Sequence, residues 1–292
     1  MIQYQVPGTW ESCFLDGRLP RLSRVCHIDG DNGWLPRAMH LHGDGAELVY
    51  IMDGHGIHMI GDNVYHTGPG DVLIYNVGVP HDERPQGGPL RYFCCGITSL
   101  RLKGLAENCI FPPDVEPVLH MGEDGEGVGT LFSMLQETVG QGGQYASEQA
   151  RFLMISLLLR VLEYAKGHAE PRAAAPYTLG QRIKQYIDEN YLQNLTLTSI
   201  SEHLGISPYY LGRLFKEKTG YSPMQYIINR RMGEAQTLLI TTQDSVTRIA
   251  ERVGYDNPNY FNLLFKKNIG LTPGQYRRVV CAQEERLAKY TK

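Results

Sequence analysis

Two histidines and a glutamate stand close together in the stretch HLHGDGAE, which spans residues 40–47. Imidazole nitrogens and carboxylate oxygens are ligands that hold divalent transition metals in proteins. Side chains two residues apart in a β-strand point to the same face, so His40 and His42 would point together if the stretch is extended. The spacing therefore predicts a polar pocket, which either supports metal-assisted chemistry or binds a ligand without turning it over.

The segment around these residues, from Leu22 to about Ile97, is rich in glycine and in short alternating runs. The runs ELVYIMDG, GIHMIG, NVYHTGPG and DVLIYNVG have the length of strands and are separated by Gly, Asp and Asn, which favour turns. This density of turns is typical of antiparallel strands in a closed barrel or a sandwich. We expect the polar pocket to lie inside that β-structure.

The pattern changes near Gly127, where apolar residues begin to recur at helical spacing. The stretch SEQARFLMISLLLRVLEYAK has a stripe of Phe152, Ile155, Leu159 and Leu162, widened by Met154, Leu157, Leu158 and Val161. A helix that is apolar on two sides must be buried on two sides. We therefore expect this helix to pair with a second copy of itself. Residues 167–178 follow as a linker, since they hold two prolines and no apolar period.

Charge is unevenly distributed, although the whole chain carries a net charge of only −3. Residues 178–292 have 16 Lys and Arg against 10 Asp and Glu, a net charge of +6, which leaves −9 on residues 1–177. A basic C-terminal half joined to an acidic N-terminal half indicates a nucleic-acid binder attached to a domain of another kind.

Several classes of protein are disfavoured by composition. The longest apolar stretch, FLMISLLLRVL, is interrupted by Ser156 and Arg160, so we expect no membrane span. The first residues lack the basic start and apolar run of a signal peptide. Six cysteines are scattered without a C-x-x-C pair, which favours buried thiols in a reducing cytoplasm.

The C-terminal half contains an internal repeat. The segment that starts at Leu197 and the segment that starts at Val246 each run short helix, Gly turn, second helix, Gly, and Ser/Thr-Pro. The glycine in each tight turn allows the positive φ that lets two helices cross steeply. Ser207 and Asp256 are the predicted N-caps of the second helices. The repeat predicts a helix-turn-helix used twice.

The tandem pattern resembles the C-terminal DNA-binding domain of the AraC/XylS family of bacterial transcription regulators. The resemblance covers residues 180–280 and includes the ending G-x-x-P-x-x-Y-x-x-x-R at Gly220, Pro223, Tyr226 and Arg230. It implies a cytoplasmic homodimer that binds an operator in double-stranded DNA and acts as an activator or a repressor of transcription, with RNA polymerase as a further candidate partner.

The resemblance also implies which side chains contact DNA. In the first recognition helix, Tyr209 and Arg213 take positions that face base edges in this family, and a guanidinium can bond to guanine through two donors. In the second, Asn259 and Asn262 fall on the equivalent face, and Asn can read adenine. The candidate phosphate contacts are Lys216 and Lys266.

The stretch that holds the paired histidines is similar to a cupin. The first cupin motif, H-x-H-x4-E-x6-G, is matched by His40, His42, Glu47 and Gly54, and the looser second motif by Gly70, Gly78 and His81. Three hypotheses remain open: a sensor pocket for a small molecule without essential metal, a sensor pocket that holds a divalent metal, and a cupin enzyme fused to a DNA-binding domain.

We take the first of these as our prediction, with no catalytic residues and no cofactor. The effector, by analogy with sugar-responsive members of the family, is expected to be a carbohydrate bound by Arg37, His40, His42, Glu47 and His81. The predicted fold is α+β with two domains. Residues 1–166 form a cupin-like β-barrel with a helical dimerisation segment, 167–178 the linker, and 179–292 an all-α domain with two helix-turn-helix motifs.

Overall fold

The structure, a computed structural model, describes residue 3 and residues 11–30, 32–171 and 178–288, with side chains as far as residue 280. Within these ranges, the strands lie between residues 21 and 120, and the α-helices follow from residue 126 onward. Residues 172–177, which make up half of the predicted linker, lie outside the described residues. No helix in the described ranges is both long enough and apolar enough to cross a membrane.

The N-terminal half consists of two antiparallel sheets. The strands are β1 (Arg21–Ile28), β2 (Arg37–His40), β3 (Gly45–Asp53), β4 (Gly56–Ile60), β5 (Asn63–Thr67), β6 (Asp71–Tyr75), β7 (His81–Pro85), β8 (Arg91–Thr98) and β9 (Val118–His120). One sheet has the order β1-β8-β3-β6-β9 and the other β2-β7-β4-β5. The prediction of antiparallel strands is confirmed.

The predicted closed barrel is corrected to two facing sheets, because no described strand pairs across from one sheet to the other. The chain changes sheet at most of its connections, so β4 and β5 are the only consecutive described strands that pair with each other. A run of short strands and turns looks the same in both arrangements, since pairing between distant strands leaves no local signal.

Strand β3 shows how side chains alternate between the outer face of its sheet, which the helices cover, and the inner face, which meets the second sheet. Ala46 and Leu48 pack in a core with the helices outside the sheet, whereas Val49 and Ile51 pack in the core between the two sheets. Because neighbouring side chains on a strand face opposite sides, Glu47 faces the second sheet together with Val49. The acidic group thereby enters the protein interior.

Two helices, α1 (Glu126–Gln141) and α2 (Ala146–His168), cover the outer face of the five-stranded sheet. Phe132 of α1 stacks parallel to Phe93 of β8 with 5.7 Å between ring centroids. The wider stripe of α2, which includes Leu158, is buried in this core, whereas Phe152 and Leu159 are 51% and 41% exposed. One apolar side of α2 is thus covered by its own chain and the other faces outward.

The C-terminal half contains the described helices α3 (Leu179–Asn190), α4 (Leu197–Leu204), α5 (Pro208–Thr219), α6 (Pro223–Thr241), α7 (Val246–Arg252), α8 (Pro258–Ile269) and α9 (Pro273–Ala288). The pairs α4–α5 and α7–α8 are the two predicted helix-turn-helix motifs, and α6 joins them. Gly205 and Gly254 have φ of +67° and +83° in the turns, as expected.

The predicted cap of the first recognition helix is confirmed, and that of the second differs by one position. Ser207 caps α5, since its hydroxyl accepts a hydrogen bond from the backbone N–H of Tyr210. In α8 the cap is Asn257 rather than Asp256, and its side-chain oxygen accepts from the backbone of Asn259 and Tyr260. The residue inserted in the second turn lengthens it, so the helix starts one residue later.

Candidate ligand site and DNA-contacting helices

His40, His42, Glu47 and His81 come together between the two sheets, and we refer to them as the His–Glu cluster. One ligand atom of each residue lies within 4.8 Å of those of the others. His40 ends β2 and pairs directly with His81, which begins β7. His42 follows in the turn, and Glu47 reaches the cluster from β3 in the opposite sheet. The sequence prediction that these four residues meet therefore matches the geometry.

Backbone hydrogen bonds orient two of the three imidazoles. His40 Nδ1 lies 3.0 Å from the carbonyl oxygen of Ala38, and His81 Nδ1 lies 2.8 Å from that of Val79. A carbonyl can only accept, so both Nδ1 atoms carry the proton, and each Nε2 carries a lone pair. The Nε2 of His81 points to Glu47, 3.5 Å from its Oε2.

Arg24, which the sequence analysis missed, is the fifth polar residue of the site. Its Nη2 lies 3.0 Å from Glu47 Oε1 and 2.6 Å from His42 Nε2, while His42 Nε2 is also 2.8 Å from Glu47 Oε2. Guanidinium can only donate and carboxylate can only accept, so one imidazole nitrogen cannot bond well to both. His42 Nε2 therefore either accepts a hydrogen bond from Arg24 or donates one to Glu47, depending on its tautomer.

A bulge explains why strand alternation did not reveal Arg24. The pairing of β1 with β8 shifts between Leu22 and Arg24, so that Leu22 packs on the helix side and Arg24 reaches Glu47 on the opposite side. Two residues separated by one would otherwise share a face. The residue type gave no signal either, because the strand RLSRVCHI contains other polar residues as well.

The protonation states of the cluster follow from burial and from Arg24. Burial alone would raise the pKa of Glu47, but the Arg24 guanidinium and the hydrogen bond with His42 hold that pKa well below its usual range. Burial also lowers the pKa of His81, and burial together with Arg37 places the pKa of His40 well below its ordinary value. At neutral pH the site therefore contains a carboxylate and at least two neutral imidazoles.

The interior next to the cluster combines aromatic surface with a further acid. The fully buried ring of Tyr75 stacks on His81 at 3.7 Å between centroids and so fixes that imidazole from behind. Burial raises the pKa of Glu83 to about 8, so its carboxyl group is mostly protonated at neutral pH and can donate a hydrogen bond. A carboxyl donor beside carboxylate and imidazole acceptors suits a hydroxylated organic ligand.

Arg37, predicted to contact the effector, contacts α6 instead. Its guanidinium donates to the carbonyl oxygen of Gly233 at 3.2 Å and to Thr237 Oγ1 at 2.7 Å. Strand β2 lies at the edge of its sheet, and an edge strand leaves backbone groups and side chains accessible to another element. The sequence shows Arg37 three residues before His40 but does not show which neighbour covers the edge.

The same edge of β2 is sealed by Gln236 of α6. Its Oε1 accepts from the backbone N–H of Ala38 at 2.8 Å, and its Nε2 donates to the carbonyl of Pro36 at 3.0 Å. The side chain thus fills the place of a neighbouring strand. At Gly233 the helix comes so close that an added Cβ would collide with the carbonyl oxygen of Met39.

Strand β7 contacts the DNA-binding half as well. Tyr221, in the turn between α5 and α6, donates to Asp82 Oδ2 at 3.3 Å, and Arg84 lies over its ring at 5.2 Å from the centroid. Asp82 directly follows His81. Strands β2 and β7, which contribute His40 and His81 to the His–Glu cluster, therefore both contact the helical half.

The first recognition helix, α5, presents the predicted DNA contacts to solvent. Tyr209 is 80% exposed, and Arg213 and Lys216 are exposed too. Arg213 Nε donates to Glu217 Oε1 at 2.8 Å, a surface ion pair that costs little to exchange for a base or phosphate. Tyr210, 48% exposed, is a neighbour that the sequence analysis did not select.

The second recognition helix, α8, differs in chemistry. Asn259 and Lys266 are exposed, whereas Asn262 is half-buried and its Oδ1 is buried without a hydrogen-bond partner among the described residues. Leu263 is 70% exposed and Tyr260 54%. The outward face of α8 is therefore more apolar than that of α5.

Comparison with known families covers both halves of the chain. Residues 23–161 match the family model described as an AraC-like ligand binding domain, and residues 200–279 match the one described as a helix-turn-helix domain. The chain belongs to the AraC family of transcription regulators. It is a DNA-binding regulator with a ligand-binding domain, as the repeat and its resemblance predicted.

Transcription regulators from bacteria match this chain over 47% to 92% of its length. The uncharacterized HTH-type transcriptional regulator YdiP of Escherichia coli K12 is 29% identical over 92% of this chain and 89% of its own length. The lactose operon transcription activator of Staphylococcus xylosus is 22% identical, over 78% and 81%. The arabinose operon regulatory protein of E. coli K12 is 31% identical, over 47% of each chain. These relatives are regulators, in agreement with the prediction that the chain is not an enzyme.

Proposed function

We propose that this AraC-family regulator changes its affinity for operator DNA when a small molecule binds at the His–Glu cluster. The observation that carries the proposal is the position of His40 and His81. They lie on β2 and β7, the strands whose outer parts contact Gly233, Gln236 and Tyr221 of the DNA-binding half. A ligand that shifts these strands must also shift, or release, those contacts.

The element that would transmit the shift is α6. It begins after the first helix-turn-helix and ends before the second, so its position affects the relation of α5 to α8. Two recognition helices can enter successive major grooves on one side of DNA only when they lie about 34 Å apart. A ligand needs differential affinity for two arrangements of α6 to act in this way.

The effector that we propose is a carbohydrate or a similar polyol. A carboxylate, imidazole lone pairs and a guanidinium offer acceptors and donors for several hydroxyl groups. The names of the lactose operon and arabinose operon relatives link those two proteins to sugars. For this chain the assignment remains a proposal about ligand class.

For the DNA side we propose Tyr209, Arg213 and Asn259 as base-reading residues, with Lys216 and Lys266 on phosphates. Asn262 would contribute only through its amide nitrogen, since its Oδ1 is buried. The partner is an operator in double-stranded DNA.

The proposed assembly is a cytoplasmic homodimer, with RNA polymerase as a partner if the regulator activates. Support for pairing comes from the outward side of α2, where Phe152 and Leu159 expose apolar surface. The residues that we assign to the sensor domain are 1–166, with 167–178 as linker and 179–292 as DNA-binding domain.

A second candidate is a regulator in which a divalent metal at the His–Glu cluster is part of the signal. His40 and His81 donate from Nδ1 to backbone carbonyls, so their Nε2 lone pairs remain available. Histidines that bind metals in proteins are usually oriented by a hydrogen bond of this kind. With Glu47 and His42, the donor set suits a first-row transition metal. When bound, such an ion would offer a Lewis-acidic position to oxygen atoms of the effector.

Arg24 separates the two candidates chemically. In the structure its guanidinium neutralises Glu47 at 3.0 Å, so the carboxylate has a cationic partner without a metal. A divalent ion would have to share Glu47 with that guanidinium, and like charges at this range repel. The presence of Arg24 therefore supports the metal-free interpretation.

The test compares full-length wild type with His40→Gln/His42→Gln, which keeps hydrogen-bonding capacity but removes imidazole ligands. His55→Gln/His66→Gln, at two exposed histidines outside the cluster, is the matched control. A thermal-shift screen against sugars should find a ligand that adds about 2.7 kcal/mol at 100 times its dissociation constant. The cluster variant should lose most of this shift and the control should keep it. Equal shifts in all three proteins would refute the proposed site.

Metal content is measured on protein purified without a histidine tag. Chelation should leave the melting temperature and the effector response unchanged if the site is metal-free. Stoichiometric metal, together with a large loss of stability on chelation, would instead establish the second candidate.

A further inference from the structure

A second recess lies in the N-terminal half, apart from the His–Glu cluster. It has a volume of about 530 Å³, and four arginines line it: Arg18, Arg21, Arg101 and Arg151. Ser99 and Glu107 complete its polar lining. None of the four cluster residues belongs to this lining, so the two sites are distinct.

Three separate parts of the chain bring these arginines together. Arg18 and Arg21 come from the start of β1 and the residues before it, Arg101 follows β8, and Arg151 lies in α2. Arg151 is held in place, because its Nε donates to the carbonyl of Pro20 at 2.8 Å and its Nη2 to that of Leu19 at 2.7 Å. The wall that carries Arg18 and Arg21 is thereby fixed against the helix.

The charge of the recess is opposite to that of its surroundings. Residues 1–177 carry a net charge of −9, yet four of their 12 basic residues line this one recess. Glu107 is the only carboxylate among the described lining residues. Arg101 has a loose ion pair with Asp16 at 3.6 Å, while Arg18 and Arg21 extend as exposed side chains.

Four guanidinium groups around one cavity repel each other, and the repulsion is relieved when an anion binds between them. The planar fork of arginine matches the oxygens of carboxylate and phosphate groups. A volume of about 530 Å³ is that of a small-molecule pocket. We propose that this recess binds a small polyanion, with two or more negative charges on carboxylate or phosphate oxygens.

The site would give the regulator a second chemical input. Strand β1 runs from Arg21, at the recess, to Arg24, which contacts Glu47 in the cluster. Occupation of the recess therefore acts on the strand that supplies the guanidinium of the effector site. The polyanion site does not depend on what the cluster binds, so it stands whether or not the proposed effector is correct.

The experiment is calorimetric titration of the full chain with inorganic phosphate and, separately, with succinate, at constant ionic strength. Together the two probes distinguish phosphate from carboxylate recognition. The test variant is Arg18→Gln/Arg21→Gln, because both side chains are exposed and neither is needed to hold Leu19 or Pro20. The control is Arg160→Gln/Lys166→Gln, which removes two exposed charges elsewhere in the same half.

We expect one anion to bind per chain. Its affinity should be about tenfold or more lower in the test variant, because two charge-assisted contacts are lost there. In the control, which keeps those contacts, the affinity should stay within about twofold of wild type. In melting curves, the anion should raise the melting temperature of wild type and the control by similar amounts and that of the test variant by less. Unchanged affinity in the test variant would overturn the proposal, because the anion would then occupy another basic surface such as α5. An equal loss in the control would overturn it too, and so would the lack of saturable binding of either probe at millimolar concentration.

Discussion

Replacement of Gly233 by alanine tests whether β2 and α6 are packed as the structure has them. In a helix interior, glycine to alanine normally stabilises by about 0.5–1 kcal/mol, since alanine restricts the unfolded chain. At Gly233 the new Cβ would meet backbone atoms of Ala38 and Met39, with the carbonyl carbon of Met39 at 2.6 Å and the carbonyl oxygen of Ala38 at 2.8 Å. Backbone atoms cannot rotate away as a side chain can, so strand and helix must separate.

The size of the effect follows from these two opposing terms. Overpacking of a tight contact costs typically about 1–3 kcal/mol, which offsets or exceeds the gain in helix propensity. Gly212→Ala is the matched control, because Gly212 also lies inside a helix and no atom lies within 4 Å of its added Cβ. We expect Gly212→Ala to stabilise and Gly233→Ala to be less stable than this control by about 1–3 kcal/mol.

The assay is urea unfolding of the full chain, analysed for the midpoint and for the slope, together with operator affinity with and without effector. Gly233→Ala should also weaken the response to effector, since the contact between β2 and α6 is the proposed route of the signal. If Gly233→Ala stabilises as much as Gly212→Ala, then α6 is not packed on β2 in solution, and the proposed route is wrong.

Three further predictions concern DNA, assembly and pH. Arg213→Ala should cost about 1–3 kcal/mol in operator binding and relax preference at one base position, whereas an equal loss on random DNA would show that Arg213 contacts only phosphate. Leu159→Glu should weaken the dimer in sedimentation without unfolding the chain, because Leu159 is 41% exposed, while Leu158→Glu should unfold it, because Leu158 is fully buried. Burial lowers the pKa of His58 to about 4, below the 6.5 of the unfolded chain, so its contribution to the free energy of unfolding is complete above pH 6.5 and is lost as the pH falls towards 4. The difference in stability between wild type and His58→Gln should therefore shrink by about 2–3 kcal/mol over that range, and a difference that stays constant in pH titrations of urea unfolding would show that His58 is protonated equally in both states.

The two helix-turn-helix motifs could be predicted from sequence because their determinants are local. Gly205 and Gly254 mark turns that need positive φ, and Ser207 offers a cap to the helix that directly follows it. The cap of α8 was predicted one residue early, at Asp256 instead of Asn257, since either side chain can cap and only the length of the turn selects between them.

The four residues of the His–Glu cluster could also be predicted from the sequence, because His40, His42 and Glu47 lie within one short motif and His81 lies within a second. The fifth polar residue of the site, Arg24, could not be predicted in this way. Arg24 reaches Glu47 through a bulge in β1, and the position of a bulge depends on the register with β8, some 70 positions away along the chain. Arg37 was predicted in the pocket because arginine pairs with carboxylates, and the sequence does not show that α6 covers the edge of β2.

The sequence by itself determined the classes of element, the repeat and the polar motif, since strand alternation, helix period, turns and caps are interactions between residues a few positions apart. The tertiary structure alone decided that the strands form two facing sheets, that Arg37 belongs to the contact with α6, and that four arginines from three segments share one recess. Such choices depend on which distant surfaces bury each other best. Packing between distant segments is decided by the free energy of the whole fold, and no short stretch of residues encodes it.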